Sequence, residues 1–196
     1  GLSGMAQGLF ATLIIGTIIQ QIGTLVGGSA GDMIYAVGKV AAALTGAGIG
    51  VGVAAKFKES YLVVVSAATA GMAGAFAGKL LAGTVLVDGT MVFAGPGEPL
   101  GAFLAAYVGI ECGHLVAGKT KVDILVTPIV TIGTGSLVGI LVGPGVSKIM
   151  TSLGTMINWG VEQQPFLMGI IVSVLMGMIL TLPISSAALG IILNLS

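Results

Sequence analysis

No charged side chain occurs between Gly1 and Gly31, and long uncharged apolar runs of this kind recur along the rest of the chain. A spanning helix needs about 20 mostly apolar residues, because the hydrocarbon core of a bilayer is about 30 Å thick. Windows that meet this requirement fall at 7–26, 33–55, 61–81, 99–117, 122–142 and 165–182. Only 7% of the 196 residues are charged, against about 25% in soluble domains. Together with a mean hydropathy of +1.14, so little charge leaves no means of covering a water-exposed surface. The predicted fold class is an all-α integral membrane protein, a polytopic helix bundle that forms one transmembrane domain over residues 1–196.

Glycine accounts for 34 of the 196 residues, well above the usual share of about 7%. Small residues four apart recur as Gly46/Gly50, Gly48/Gly52, Gly74/Gly78, Gly109/Gly113 and Gly135/Gly139. Such pairs let helix backbones approach closely in lipid, so the bundle is expected to be compact. Residues 145–162 differ from the spans. Ile149, Met150, Leu153, Met156 and Ile157 form one stripe opposite Lys148, Ser152, Thr155 and Asn158, with Trp159 near the end. This pattern predicts a helix lying in the membrane interface or packed on the protein as a loop helix.

Lysine placement predicts orientation. Lys56 and Lys58 fall in the second loop and Lys119 and Lys121 in the fourth, whereas the first and third carry Asp32, Asp88 and Glu98 but no Lys. The even loops and the N-terminus are therefore expected on the cytoplasmic side, with Lys148 opposing the pattern. Five spans followed by an interfacial helix place the sixth opposite to the first. The faint likeness of Phe10–Gly16 to Phe166–Val172 agrees with half of an inverted-repeat transporter. The chain opens on Gly1 and stops at Ser196 inside an apolar stretch, which reads as part of a longer protein.

Two Gly/Pro-interrupted segments stand out, around Glu98 and around Pro183–Ser186. Irregular backbone at membrane depth is tolerated where it lines a cavity, and such breaks point to a transporter's binding site. Residues 82–98 read as an outer loop or a re-entrant hairpin, and Pro99 suits the first turn of the helix that follows. Glu98 is a candidate acceptor for two neighbouring solute hydroxyls, or else an outer-loop carboxylate in water. Ser185 and Ser186 would add hydrogen bonds from the second break. Tyr107, Glu111 and His114, the chain's sole histidine, share one helical face at i, i+4 and i+7. Glu111 and His114 then serve as a solute contact or proton relay, or as a structural pair near the cytoplasmic interface. Lys39 pairs with an acidic residue or snorkels, and Lys79 snorkels.

Other classes fit poorly. There is no basic cluster for nucleic acid. The lone Cys112 reads as a packing residue, and no phosphate-binding loop or close carboxylate pair lies inside a span. Metal ligands would have to come from distant helices, so neither a metal nor a cofactor is expected. No catalytic residue is assigned, and any enzymatic role would be that of a translocating subunit.

The stretches GPGEPLGAFLAAYVGIECGHLVAGKTKVDILVTP (95–128), QPFLMGIIVSVLMGMILTLPISSAA (164–188) and GLFATLIIGTIIQQIGTLVG (8–27) resemble the enzyme IIC-type membrane permeases of the phosphotransferase system. More narrowly they resemble its membrane toxin-regulator branch. The resemblance implies a bacterial plasma-membrane permease, usually a homodimer, of which this chain holds the first half and the start of the second. It implies that Glu98, assisted by His114, contacts a sugar, and that a separate cytoplasmic IIB component donates the phosphoryl group. Beside a permease moving a small polar solute by alternating access stand two alternatives. One is a proton- or ion-coupled permease using Glu111 and His114, and the other a membrane sensor or regulatory scaffold that binds ligand without moving it.

Overall fold

A computed structural model describes the backbone of residues 2–180 and the side chains through Leu175. The architecture is helical: α1 (Leu2–Val26), α2 (Gly28–Ala43), α3 (Thr45–Lys56), α4 (Tyr61–Ala75), α5 (Ala77–Leu81), α6 (Pro99–Val116), α7 (Asp123–Gln163) and α8 (Pro165–Leu180). A short antiparallel hairpin of β1 (Leu86–Val87) and β2 (Thr90–Met91) interrupts them before α6. Asp88 and Gly89 turn that hairpin with φ of 50° and 76°, as a two-residue turn between twisted strands requires.

Among the described residues α1, α6 and α7 are long and apolar enough to cross a membrane, and α2 with α3 make a fourth such unit bent by 52°. Several helices differ from the windows read in the sequence. The 33–55 window is two helices that meet at Leu44, and the 61–81 window is α4 and α5 separated at Phe76. The span expected at 122–142 and the interfacial helix expected at 145–162 are one helix, α7, which runs through Pro128 and Pro144. Breaking a helix in lipid strands carbonyls that no water can reach, so proline is carried within it. At 1.5 Å per residue α7 is about 60 Å long, about twice the hydrocarbon thickness. Within α1, Phe10–Ile14 form a π-helical turn.

The core gathers Met5, Leu9 and Leu13 of α1, Ile49 and Val53 of α3, Val63 and Ala67 of α4, and Ala102, Ala106 and Ile110 of α6. Helix α4 is central, packed against α3, α6 and α7. Glycines set the spacing. A Cβ at Gly8 would collide with the backbone of Gly48, one at Gly52 with Gly4, and one at Gly139 with Gly74. Several hydroxyls bond to their own helix, Thr12 to Gly8 O, Thr17 to Leu13 O and Ser66 to Leu62 O, whereas the buried Thr131 hydroxyl has no partner among the described residues. The first three are thereby satisfied without water. Beyond Ile14, α1 packs chiefly on α2, and the pair touches the other helices little.

Candidate solute-binding site at a broken helix

The site is built by a helix that stops early. At Phe76 the backbone leaves the helix (φ −108°, ψ 19°), and three contacts from residues 93–98 fix the break. The Glu98 N–H donates to Ala75 O at 2.8 Å. The fully buried Phe76 ring packs on Phe93 with centroids 4.9 Å apart. Lys79 Nζ donates to Ala94 O at 3.0 Å. The 93–98 loop and the α4–α5 break are therefore one unit. Gly97 makes their approach possible, since its φ is +74° and a Cβ there would stand 2.8 Å from Ala75 O.

Glu98 is the N-cap of α6, with Pro99 in the first turn as its fixed φ and missing N–H favour. Its carboxylate accepts from the backbone N–H groups of Leu100 at 3.3 Å and Gly101 at 3.5 Å. These are long contacts, and they leave acceptor positions unused. In the loop ahead of the span, burial pushes the Glu98 carboxyl above the ordinary carboxylate range, and the two N–H donors pull it partly back. The carboxylate borders a cavity of about 650 Å³ that Phe76, Lys79, Pro144, Ser147 and Thr151 also line. An anionic acceptor, hydroxyls from α7 and the loosened turn around Phe76 thus surround one space of small-molecule size.

The other sequence candidates do not converge on it. Glu111 and His114 lie about 20 and 24 Å along α6 from Glu98 at 1.5 Å per residue. Glu111 is exposed. The His114 imidazole turns to Glu59 in the α3–α4 loop, its Nδ1 standing 3.0 Å from the carboxylate oxygens, with the His114 side chain 66% exposed. Tyr107 packs edge-on against Phe57 of that loop. Ser185 and Ser186, with the second break, lie outside the described residues. Among the described residues no group of three His, Cys, Asp or Glu side chains is placed to hold a metal ion.

Sequence reasoning missed Ser147, Thr151 and the break at Phe76, and it assigned Lys79 to snorkelling. The usable signal for Lys79 was Gly74-Ala-Phe-Ala-Gly78 immediately before it, a Gly-flanked turn inside an apolar run.

Apolar helices packed through glycine, with one helix broken beside a cavity that a carboxylate borders, have the build of a polytopic membrane transport protein. The profile of the family described as "Phosphotransferase system, EIIC" matches residues 1–196, and the chain belongs to that family as a permease component of the system. No curated protein and no solved structure matches the chain.

Proposed function

We propose that the chain translocates a small polar solute, a sugar, by alternating access around the Glu98 cavity. One observation carries this reading: Glu98 caps α6 with unused acceptor positions in a cavity opened by the α4 break. Two adjacent sugar hydroxyls donate to its carboxylate, while Ser147 and Thr151 supply donors and acceptors opposite. The Glu98–Ala75 and Lys79–Ala94 bonds couple the loop to the break, so the site moves with α5 as access changes sides. Membership in the EIIC family implies in general a sugar-type substrate and a separate cytoplasmic IIB partner. That component carries the phosphoryl group, and the permease works as a homodimer.

The His114–Glu59 contact brings the loop bearing Lys56 and Lys58 to the end of α6 that leads to Lys119 and Lys121. Both lysine-bearing loops then lie on one side, the cytoplasmic one. Cysteine placed by Phe57→Cys or Thr120→Cys should resist an impermeant thiol reagent in intact cells. Labelling of both reverses the orientation.

The function is tested with proteoliposomes and a panel of radiolabelled sugars. Uptake that requires phosphorylated IIB and is lost in Glu98→Gln is expected. Uptake unchanged in Glu98→Gln removes this site from the pathway, and uptake driven by a pH gradient alone replaces phosphorylation with ion coupling.

A further inference from the structure

A second chamber, mixed in its lining, borders the same loop. Its volume is about 350 Å³, and Thr17, Gln20 and Lys39 line it together with Phe93, Gly95 and Pro96. Ala94 and Pro96 border both this chamber and the Glu98 cavity, so a single strand of backbone separates the two.

Lys39 has no reason to be there on packing grounds. Along the bent α2–α3 unit it stands about 9 Å from Met33, where the apolar window begins, and about 24 Å from Ala55, where that window ends, at 1.5 Å per residue. A stem that leans back towards Met33 shortens that distance, yet Lys39 lines the chamber beside Thr17 and Gln20. All seven carboxylate side chains of the sequence lie within the described residues, and among those residues no carboxylate lies within salt-bridge distance of Lys39. The ammonium stands 5.6 Å from the Tyr35 ring centroid, a neutral neighbour that leaves the positive charge unbalanced. Gly16 and Gly38 bring α1 and α2 into backbone contact beside it, which sets Gln20 next to Lys39. An uncompensated cation at this depth faces water or an anion.

We infer that Lys39 and Gln20 form a cationic subsite of the solute pathway, across the Ala94–Gly97 loop from Glu98, which takes the carboxylate or phosphate of an acidic sugar. This rests on the Glu98 reading and sharpens it from sugars in general to sugars bearing an anionic group. Lys39 supplies the charge, and the Gln20 amide donates a further hydrogen bond to the same oxygen set.

The test uses the whole chain in neutral detergent and two matched probe pairs, gluconate against glucitol and glucose 6-phosphate against glucose, measured by calorimetry. The wild type should bind at least one anionic member roughly tenfold or more tightly than its neutral match, as a charge-assisted contact implies. Lys39→Gln should erase that preference and Lys39→Arg should keep it. Equal binding within both pairs, binding of neither anion, or a preference that survives Lys39→Gln each overturns the subsite. Loss of every probe in Glu98→Gln would still leave the Glu98 reading standing in those cases, and unchanged binding in Glu98→Gln would sink that reading by itself. A second measurement needs no ligand. In a Cys112→Ala background, Lys39→Cys should react with a water-soluble, impermeant thiol reagent. If it stays unlabelled while Asp32→Cys reacts, the chamber is dry and the proposal fails.

Discussion

The two ends of α6 handle a carboxylate in opposite ways. At the N-terminal end Glu98 is held by two long bonds from backbone N–H groups, forms no salt bridge among the described residues, and borders a cavity. At the C-terminal end Glu59, whose side chain is 9% exposed, is matched by the His114 imidazole at 3.0 Å. A carboxylate with a side-chain partner is a strut between loops. One held only by its own helix cap keeps lone pairs for something that arrives later. The contrast teaches that being ionisable inside an apolar chain does not by itself mark a site, and that the unused bonding capacity does.

The largest effect that would break this comparison is on binding. Glu98→Gln keeps the shape and one acceptor but loses the charge, so sugar affinity should fall about 100-fold, near 2.7 kcal/mol, within the range for hydrogen bonds to charged groups. Calorimetry on the purified protein measures it. An affinity within twofold of wild type would make the two ends equivalent struts.

Next comes the backbone that presents Glu98. Gly97→Ala places a Cβ against Ala75 in a left-handed conformation, and should cost about 2 kcal/mol or more in thermal or denaturant unfolding. Gly78→Ala, in α5 with open space around it, should be neutral or stabilising by up to about 1 kcal/mol. Equal losses at both positions would mean that the loop is not seated on the break.

Acidity separates the ends further. Because burial raises the Glu98 carboxyl, the folded protein holds that proton to a higher pH than the unfolded chain does. The stabilising contribution is present below the unfolded value and is lost as pH rises through the folded one. The stability of Glu98→Gln relative to wild type should therefore increase as the pH rises from the ordinary carboxylate range upward. Sugar binding to wild type should weaken as the pH falls to just above the ordinary carboxylate range. Binding that is flat across that range would mean that the charged form is not the one used.

Much of the Glu98 end was legible because it is local. Pro99 at the first helical turn, Glu98 before it and the Gly/Pro run all act within a few residues, as do the small-residue pairs that set the helix spacing. The break at Phe76 was not legible. Its stability comes from Phe93, Ala94 and Glu98, about 20 residues later, and an apolar run shows no sign of a contact made that far away. The bend at Leu44 has the same difficulty, lacking proline or glycine at the joint itself. The amphipathic stripe after Lys148 misled in the other direction, since it continues the same helix, α7, which also carries Pro144 within it. The Tyr107, Glu111 and His114 stripe was read correctly as one face, but periodicity does not say what that face meets. It meets the α3–α4 loop, through Phe57 and Glu59.

The smallest effects belong to the strut, and they should be unequal. His114 is mostly exposed while Glu59 is mostly covered, so removing one partner does not mirror removing the other. His114→Ala leaves a sheltered carboxylate without its side-chain hydrogen-bond partner, a cost of about 1 kcal/mol, whereas Glu59→Gln leaves an imidazole that water solvates, a cost of a few tenths. Neither should change sugar affinity, since the pair stands about 24 Å along α6 from Glu98. Unfolding and binding measured on the same two variants decide the matter. Should His114→Ala lower affinity as much as Glu98→Gln, the two ends of α6 would be a single coupled site, and the distinction between strut and binding group would fall.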